Sequence, residues 1–257
     1  MLRVSDRLAS GDYARKQIYC PSRVVAWSHR SRFRLAARLA APAAGARLLD
    51  YGCGDGTFML LTHGMFAEAV GADLDCAEFS ECRRRLEDLP GLTFLRTADL
   101  VGAGHRHGYA IVTCLEVLEH CVDRERIRVL EHLRELVAPG GHIVISVPIE
   151  IGPSLAGKQV VRAIAAWRGH GDYEHRETYS PRELMNAALA RPNLARALYQ
   201  VQTASGPMPS CGHKGFDWRI LEKEITARFA VERRLFTPLR RLGPLLNSQV
   251  WFVCAPL

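Results

Sequence analysis

The sequence predicts an α/β fold in which a seven-stranded, mostly parallel sheet is flanked by helices. Three observations predict it. Short apolar runs alternate with charged, amphipathic stretches between residues 48 and 148, the order that builds βαβ units. Three of these runs close on an acid, at Asp50, Asp73 and Asp99, and parallel sheets hold ligands at the carboxyl ends of their strands. After the first run comes Gly52-Cys53-Gly54-Asp55-Gly56-Thr57, where glycine, lacking Cβ, lets backbone pass close under a ligand before a helix starts.

The elements follow in order. A helix is predicted over Val24–Leu39, then a strand over Leu48–Tyr51. Glu68–Asp73 reads as the second strand and Cys76–Asp88 as a charged surface helix. Leu92–Ala98 is the third strand, Tyr109–Thr113 the fourth, and a helical pattern then runs to Val137. Pro139-Gly140-Gly141 turns the chain into a fifth strand, His142–Pro148. Phe216–Arg228 reads as the last helix, with Phe229–Phe236 and Ser248–Cys254 as a closing strand pair. A structureless loop as long as 149–215 is improbable on physical grounds, so that stretch is expected to be a lid or substrate-binding insertion. Within it, Pro181-Arg182-Glu183-Leu184 has the form of a helix start. The expected organisation is one domain with an N-terminal helical arm (1–44), a core (45–148), the insertion (149–215), and the last helix with its closing hairpin (216–257).

At 257 residues, 48% hydrophobic and 24% charged, the chain has the balance of a soluble protein with a sizeable core. No apolar run reaches membrane-spanning length and the N-terminus lacks an apolar leader core. The eight cysteines form no C-x-x-C pair, which points to a reducing, cytoplasmic setting rather than a zinc or disulfide framework. The net charge of +7 is carried largely by arginine in an Ala- and Arg-rich sequence. On its own that says little about nucleic acid, and no RNA-binding module accompanies it.

The glycine spacing is specific. A dinucleotide fingerprint needs a third glycine where Thr57 stands. The form G-x-G-x-G, with Asp50 two residues ahead of it, instead resembles motif I of the class I S-adenosylmethionine-dependent methyltransferases, which share a Rossmann-like fold. The resemblance covers 45–148 well and the closing hairpin loosely. It implies S-adenosyl-L-methionine as cofactor, with Gly52, Cys53, Gly54 and Gly56 turning under its methionine part and Asp50 or Asp55 holding its amino group. Asp73, followed by Leu74, would accept both ribose hydroxyls, as a carboxylate is able to. Asp99, followed by Leu100, matches the acid that bonds the adenine amino group. Cys114 and Leu115, after the fourth strand, would lie beside the sulfonium.

Methyl transfer is an in-line displacement in which a hydroxyl acceptor must also lose its proton. The segment Glu116-Val117-Leu118-Glu119-His120 offers chemistry for that step. Read as helix, its spacings place Glu116, Glu119 and His120 on one face, a set able to hold a divalent cation such as Mg²⁺. This E-x-x-E-H resembles the metal motif of small-RNA 3′-terminal 2′-O-methyltransferases and a segment of the polyprenyl catechol O-methyltransferases of quinone biosynthesis. Both resemblances imply a later histidine, for which His213 and His175 are the candidates. A similar run also occurs in metal-free members, where His120 or His213 would serve as general base or Glu119 and His120 would merely orient a loop. His29, His63 and His142 read as structural.

The expectation is therefore methyl transfer to a small organic acceptor, a hydroxyl oxygen first, with His120, His175 and His213 facing it. The alternatives are a metal-assisted RNA ribose methyltransferase and a binder of S-adenosylmethionine without catalysis. Two flanking segments bear on the acceptor. The arm from Tyr13 to Leu39 is basic and aromatic, either a solvated arginine face on a docked helix or, through Trp27 and Phe33, a cap on the site. Lys158–Arg168 in the insertion has an apolar helical side beside basic residues, suited to a lid or to peripheral contact with a membrane. Oligomeric state is left open.

Overall fold

Successive residues of a strand point to opposite faces of its sheet, and here both faces are apolar. In the computed structural model, which describes residues 4–102, 104–159, 178–191, 195–239 and 241–257, the result is three layers. The strands are β1 (Arg47–Tyr51), β2 (Glu68–Asp73), β3 (Leu92–Arg96), β4 (Tyr109–Leu115), β5 (Val137–Pro148), β6 (Leu198–Thr203), β7 (Gly206–Cys211), β8 (Phe229–Thr237) and β9 (Gln249–Pro256). Seven of them form one sheet in the order β3-β2-β1-β4-β5-β9-β8, while β6 and β7 pair apart from it. The strands β1 to β5 run parallel and β9 is antiparallel to both its neighbours.

The helices are α1 (Val4–Ser10), α2 (Arg23–Ala40), α3 (Thr57–Leu61), α4 (Ala77–Leu86), α5 (Asp123–Leu136), α6 (Pro181–Ala188) and α7 (Trp218–Thr226). On one face of the sheet Leu48, Ile111, Val144 and Trp251 pack with Leu35 and Leu39 of α2 and Phe79 and Leu86 of α4. On the other, Leu49, Val112, Ile143 and Phe252 pack with Leu130 and Leu133 of α5 and Leu221 and Ile225 of α7. Neighbouring strand residues thus go to opposite cores, and the alternation in the sequence is that of a sheet buried on both sides. Among the described residues no helix is long and apolar enough to cross a membrane.

The predicted strands and helices are present with small shifts at most ends, but the helix expected directly after the fourth strand begins only at Asp123. The Pro139-Gly140-Gly141 turn lies inside β5, where the register to β4 slips between Tyr109 and Ile111. In the insertion α6 starts where Pro181 predicts, capped by Ser180 and Glu183 in a reciprocal box. The segment from residue 160 to 177, which includes the apolar stretch 160–167 and His175, lies outside the described residues.

The arm is tied to the glycine turn. Arg7 of α1 pairs with Asp88 (Nη2–Oδ2 2.7 Å), and Arg85 of α4 donates to the carbonyls of Arg7 and Asp55. The Tyr13 amide donates to Asp55 (3.0 Å), while the Tyr13 hydroxyl bonds His29 Nδ1 (2.6 Å) and accepts from Arg32. Phe33 meets Tyr13 edge-to-face and stacks on Phe58, and Trp27 is 45% exposed.

Burial pushes His29 down to about 3, with the charges of Arg32 and Lys158 adding to it. The unfolded chain takes up that proton near 6.5. The resulting stability is full above that value and is lost as pH falls toward 3. Thermal melts between pH 7.5 and 4.5 should accordingly fall less steeply for His29→Gln than for the wild type. Parallel slopes would show that His29 titrates normally.

Candidate active site

The turn between β1 and α3 places three glycines in the left-handed region, with φ of 79° at Gly52, 53° at Gly54 and 75° at Gly56. That backbone favours glycine at each position. A Cβ on Gly56 would also lie 2.5 Å from Leu86 Cδ1 and 2.7 Å from Cys82 Sγ, and one on Gly52 would strike Val117. Gly56→Ala should therefore cost about 2 kcal/mol or more of stability, read from denaturant melts. A silent substitution would mean that the turn relaxes into another conformation.

Asp73 closes β2 directly beside this turn. Its carboxylate accepts the amides of Gly54 (2.6 Å) and Leu74 (2.7 Å) and keeps lone pairs facing outward. Burial raises its affinity for a proton against those two bonds. Asp50 lies deeper and accepts the Thr113 hydroxyl at 2.7 Å. Burial pushes Asp50 up to about 7 and the charge of Asp73 adds, against the Thr113 bond. Asp55 is engaged elsewhere: it caps Thr57 (3.0 Å), holds the Tyr13 amide and lies 3.7 Å from Arg85. Of the two acids expected to meet an amino group, Asp50 is 2% exposed and bonded by Thr113, and Asp55 is a clamp on the arm. Asp99 ends the short helical turn after β3 and pairs with Arg96 at 2.7 and 2.9 Å.

Burial takes the side chains of three expected contact residues into the core. Cys114 and Leu100 point into the core under α5, and Cys53 packs beside Cys82. Only their backbones are left to meet a ligand. Leu115 packs, partly buried, against the opposite core.

The E-x-x-E-H segment is not helical. Glu116 adopts φ of 60°, residues 118–120 form a turn, and α5 begins only at Asp123. A buried ion pair with Arg32 (2.9 Å) and a bond from Ser146 (3.1 Å) hold Glu116 away from its two predicted partners. The other members do meet. His120 Nε2 and His213 Nε2 are 3.2 Å apart, and Glu119 Oε1 lies 3.9 Å from His120 Nε2. Glu119, His120 and His213 each offer an atom within 4.8 Å of the others.

Two contacts set the state of this cluster. His120 Nδ1 faces the Cys211 carbonyl at 3.0 Å. A carbonyl only accepts, so Nδ1 carries hydrogen and Nε2 of the neutral ring is left with its lone pair. Glu119 is fully buried and neither of its carboxylate oxygens has a hydrogen-bond partner among the described residues. Burial holds its carboxyl well above the usual range, with the charge of Glu116 adding and Arg32 and Arg196 opposing. Such a group takes either a proton or a cation.

The β6–β7 hairpin crosses the carboxyl edge of the sheet. At its turn the Ala204 amide donates to Asp75 O (2.8 Å), and at its base the Cys211 amide donates to His120 O (2.8 Å). Arg196 donates to the carbonyls of Glu119 and Gly212 and lies over the Phe216 ring, joining the loops that carry His120 and His213. Glu150 follows β5, buried and bonded by Lys158 at 2.9 Å, with His213 Nδ1 3.9 Å away. Tyr13, Arg32, Arg196 and Glu150 were not singled out from the sequence. For Glu150 the signal existed, an acid just past a strand's carboxyl end. For the arginines there was none.

A glycine turn under β1, an acid closing β2, an acid after β3 and a strand order with an antiparallel closing hairpin together make the fold and motif arrangement of the class I methyltransferases. Residues 26–193 match the family described as the methyltransferase domain, and the chain belongs to that family. It is 34% identical over 104 residues to a ubiquinone biosynthesis O-methyltransferase of Vibrio cholerae, covering 40% of this chain and 42% of that one. The corresponding enzyme of Cereibacter sphaeroides is 33% identical over 149 residues, covering 56% and 58%. The chain thus matches only part of the length of these curated relatives. Among solved structures, the N-methyltransferase NodS of Bradyrhizobium japonicum in complex with S-adenosyl-L-homocysteine superposes with a TM-score of 0.55 at 13% identity, covering 98% of this chain and 96% of that one.

Proposed function

We propose that the chain methylates a hydroxyl oxygen of a small organic acceptor, with the His120–His213 pair receiving the acceptor's proton. The observation that supports this reading best is the imidazole pair itself, His120 Nε2 3.2 Å from His213 Nε2, at the carboxyl edge that also carries Asp73. Bound S-adenosyl-L-methionine would supply a sulfonium methyl open to in-line displacement. Asp73 would hold the ribose hydroxyls, Asp99 the adenine amino group and Asp50 the cofactor's ammonium. In this reading the imidazole pair takes the proton as the oxygen attacks, and the β6–β7 hairpin excludes water as a lid. The O-methyltransferase names of the relatives agree with an oxygen acceptor. The test is turnover on a panel of hydroxylated aromatics, repeated with histidine variants.

A second reading is favoured by the buried, unbonded carboxylate of Glu119. In it Glu119, His120 and His213 hold a divalent cation that lowers the pKa of the acceptor hydroxyl. One carboxylate and two imidazoles do not make the oxygen set that Mg²⁺ prefers. They suit Mn²⁺ or Zn²⁺, and Glu116 would take no part. An RNA ribose acceptor belongs to this reading and would show as salt-dependent retention of RNA.

A further inference from the structure

The segment from residue 13 to residue 49 contains no Asp or Glu, and neither does the β8–β9 connection from 237 to 249. The structure brings the two together. Ser28 of α2 meets Ser248 (Oγ–Oγ 3.3 Å), and Arg34 and Arg38 line a cleft of 170 Å³ against Thr237 and Pro238. On the outer face of α2, Arg23, Trp27, Arg30, Arg34 and Arg38 fall at spacings of four, three, four and four and are all exposed. No ion pair with a carboxylate is present for any of these four arginines among the described residues.

The loop beside this stripe presents leucines alongside the exposed Arg241. Leu239, Leu242, Leu245 and Leu246 are between 40% and 61% exposed. They are not a frayed end. The buried Asn247 side chain accepts the Leu239 amide (2.6 Å) and donates to the carbonyls of Leu239 (2.9 Å) and Gly243 (2.7 Å), fixing the loop with its leucines outward. A pinned loop that keeps four leucines in water, next to arginines without a carboxylate partner among the described residues and an exposed tryptophan, has the composition of an interfacial anchor. Arginine stems lie along acyl chains while their heads meet phosphate, and tryptophan favours the same depth.

We propose that this surface, α2 together with residues 238–239 and 241–248, docks on an anionic phospholipid bilayer. The sequence reading placed membrane contact in the insertion instead. Charge complementarity and the fixed leucines select the lipid. Nucleic acid would match the arginines and leave the leucines unused, and a protein partner would need acids opposite the whole stripe. Orientation follows from register. Gln249 pairs with Pro148, and Ile149 donates to Ser248 O at 2.9 Å, so the loop springs from the carboxyl edge that carries His120, His213 and Glu150. Docking there sets that edge against the membrane.

The test is co-sedimentation of the full chain with vesicles of mixed phosphatidylglycerol and phosphatidylcholine, against phosphatidylcholine alone. It needs no turnover and is independent of the proposed acceptor. The wild type should bind the anionic vesicles and be released by salt. Leu242→Ser/Leu245→Ser/Leu246→Ser and Arg34→Glu/Arg38→Glu should each bind about tenfold more weakly, with melting temperatures near the wild type's. Failure of the wild type to bind, or binding unchanged in both variants, would overturn the proposal. So would retention of single-stranded RNA, lost in the arginine variant, by a wild type that ignores vesicles.

Discussion

Replacing Asp73 with alanine is expected to weaken binding of S-adenosyl-L-homocysteine about 100-fold or more, read by calorimetric titration. The size follows from what the carboxylate would do. Two hydroxyl bonds to a charged acceptor are worth about 1.5–3 kcal/mol each. Removing them also leaves the amides of Gly54 and Leu74, now bonded at 2.6 and 2.7 Å, without their acceptor. Asp73→Asn keeps one acceptor oxygen and should fall between wild type and alanine. Equal affinity in all three proteins would remove Asp73 from the cofactor site. Loss of the thermal transition in the alanine variant would instead mark the amide bonds as structural, and the asparagine variant then decides the question.

The parts of the site that were legible in the sequence are local. Strand, turn and helix from Leu48 to Leu61 lie within one short stretch, and the left-handed glycines need nothing from elsewhere in the chain. The acids at Asp73 and Asp99 follow from the rule that strands of a parallel sheet end at the ligand edge. The failures have physical causes at long range. Glu116 reads as the first residue of a helical face, but Arg32, 84 positions earlier, turns it away through a buried ion pair. Arg32 in turn sits in a basic run that looks solvated. Only the three-dimensional course of α2 shows it to be 6% exposed. The Cys114 side chain lies in the core for a simpler reason, since period-two alternation from Val112 already sends it there. His213 could be chosen over His175 only by position before the last helix, because 93 residues separate it from His120.

Substituting glutamine for His120 or His213 is expected to lower kcat by about 10²–10⁴ while leaving affinity for S-adenosyl-L-homocysteine unchanged. Glutamine preserves hydrogen bonding but takes up no proton, so the loss isolates proton transfer from packing. The two side chains act at one point, 3.2 Å apart, and the double variant should be little worse than either single one. Near wild-type kcat in both single variants would place deprotonation elsewhere, with Glu150 the next group to test. Glu119→Gln separates the two readings of the cluster. Burial raises the Glu119 carboxyl's affinity for a proton; if it carries one, glutamine is a close mimic and turnover should persist. If Glu119 instead ligates a cation, glutamine removes the anionic ligand, and metal content measured on the purified protein falls together with kcat. The proton-only reading predicts no stoichiometric Mn²⁺ or Zn²⁺ in the wild type and indifference to a chelator. Bound metal lost in Glu119→Gln and in the histidine variants would overturn it in favour of the cation.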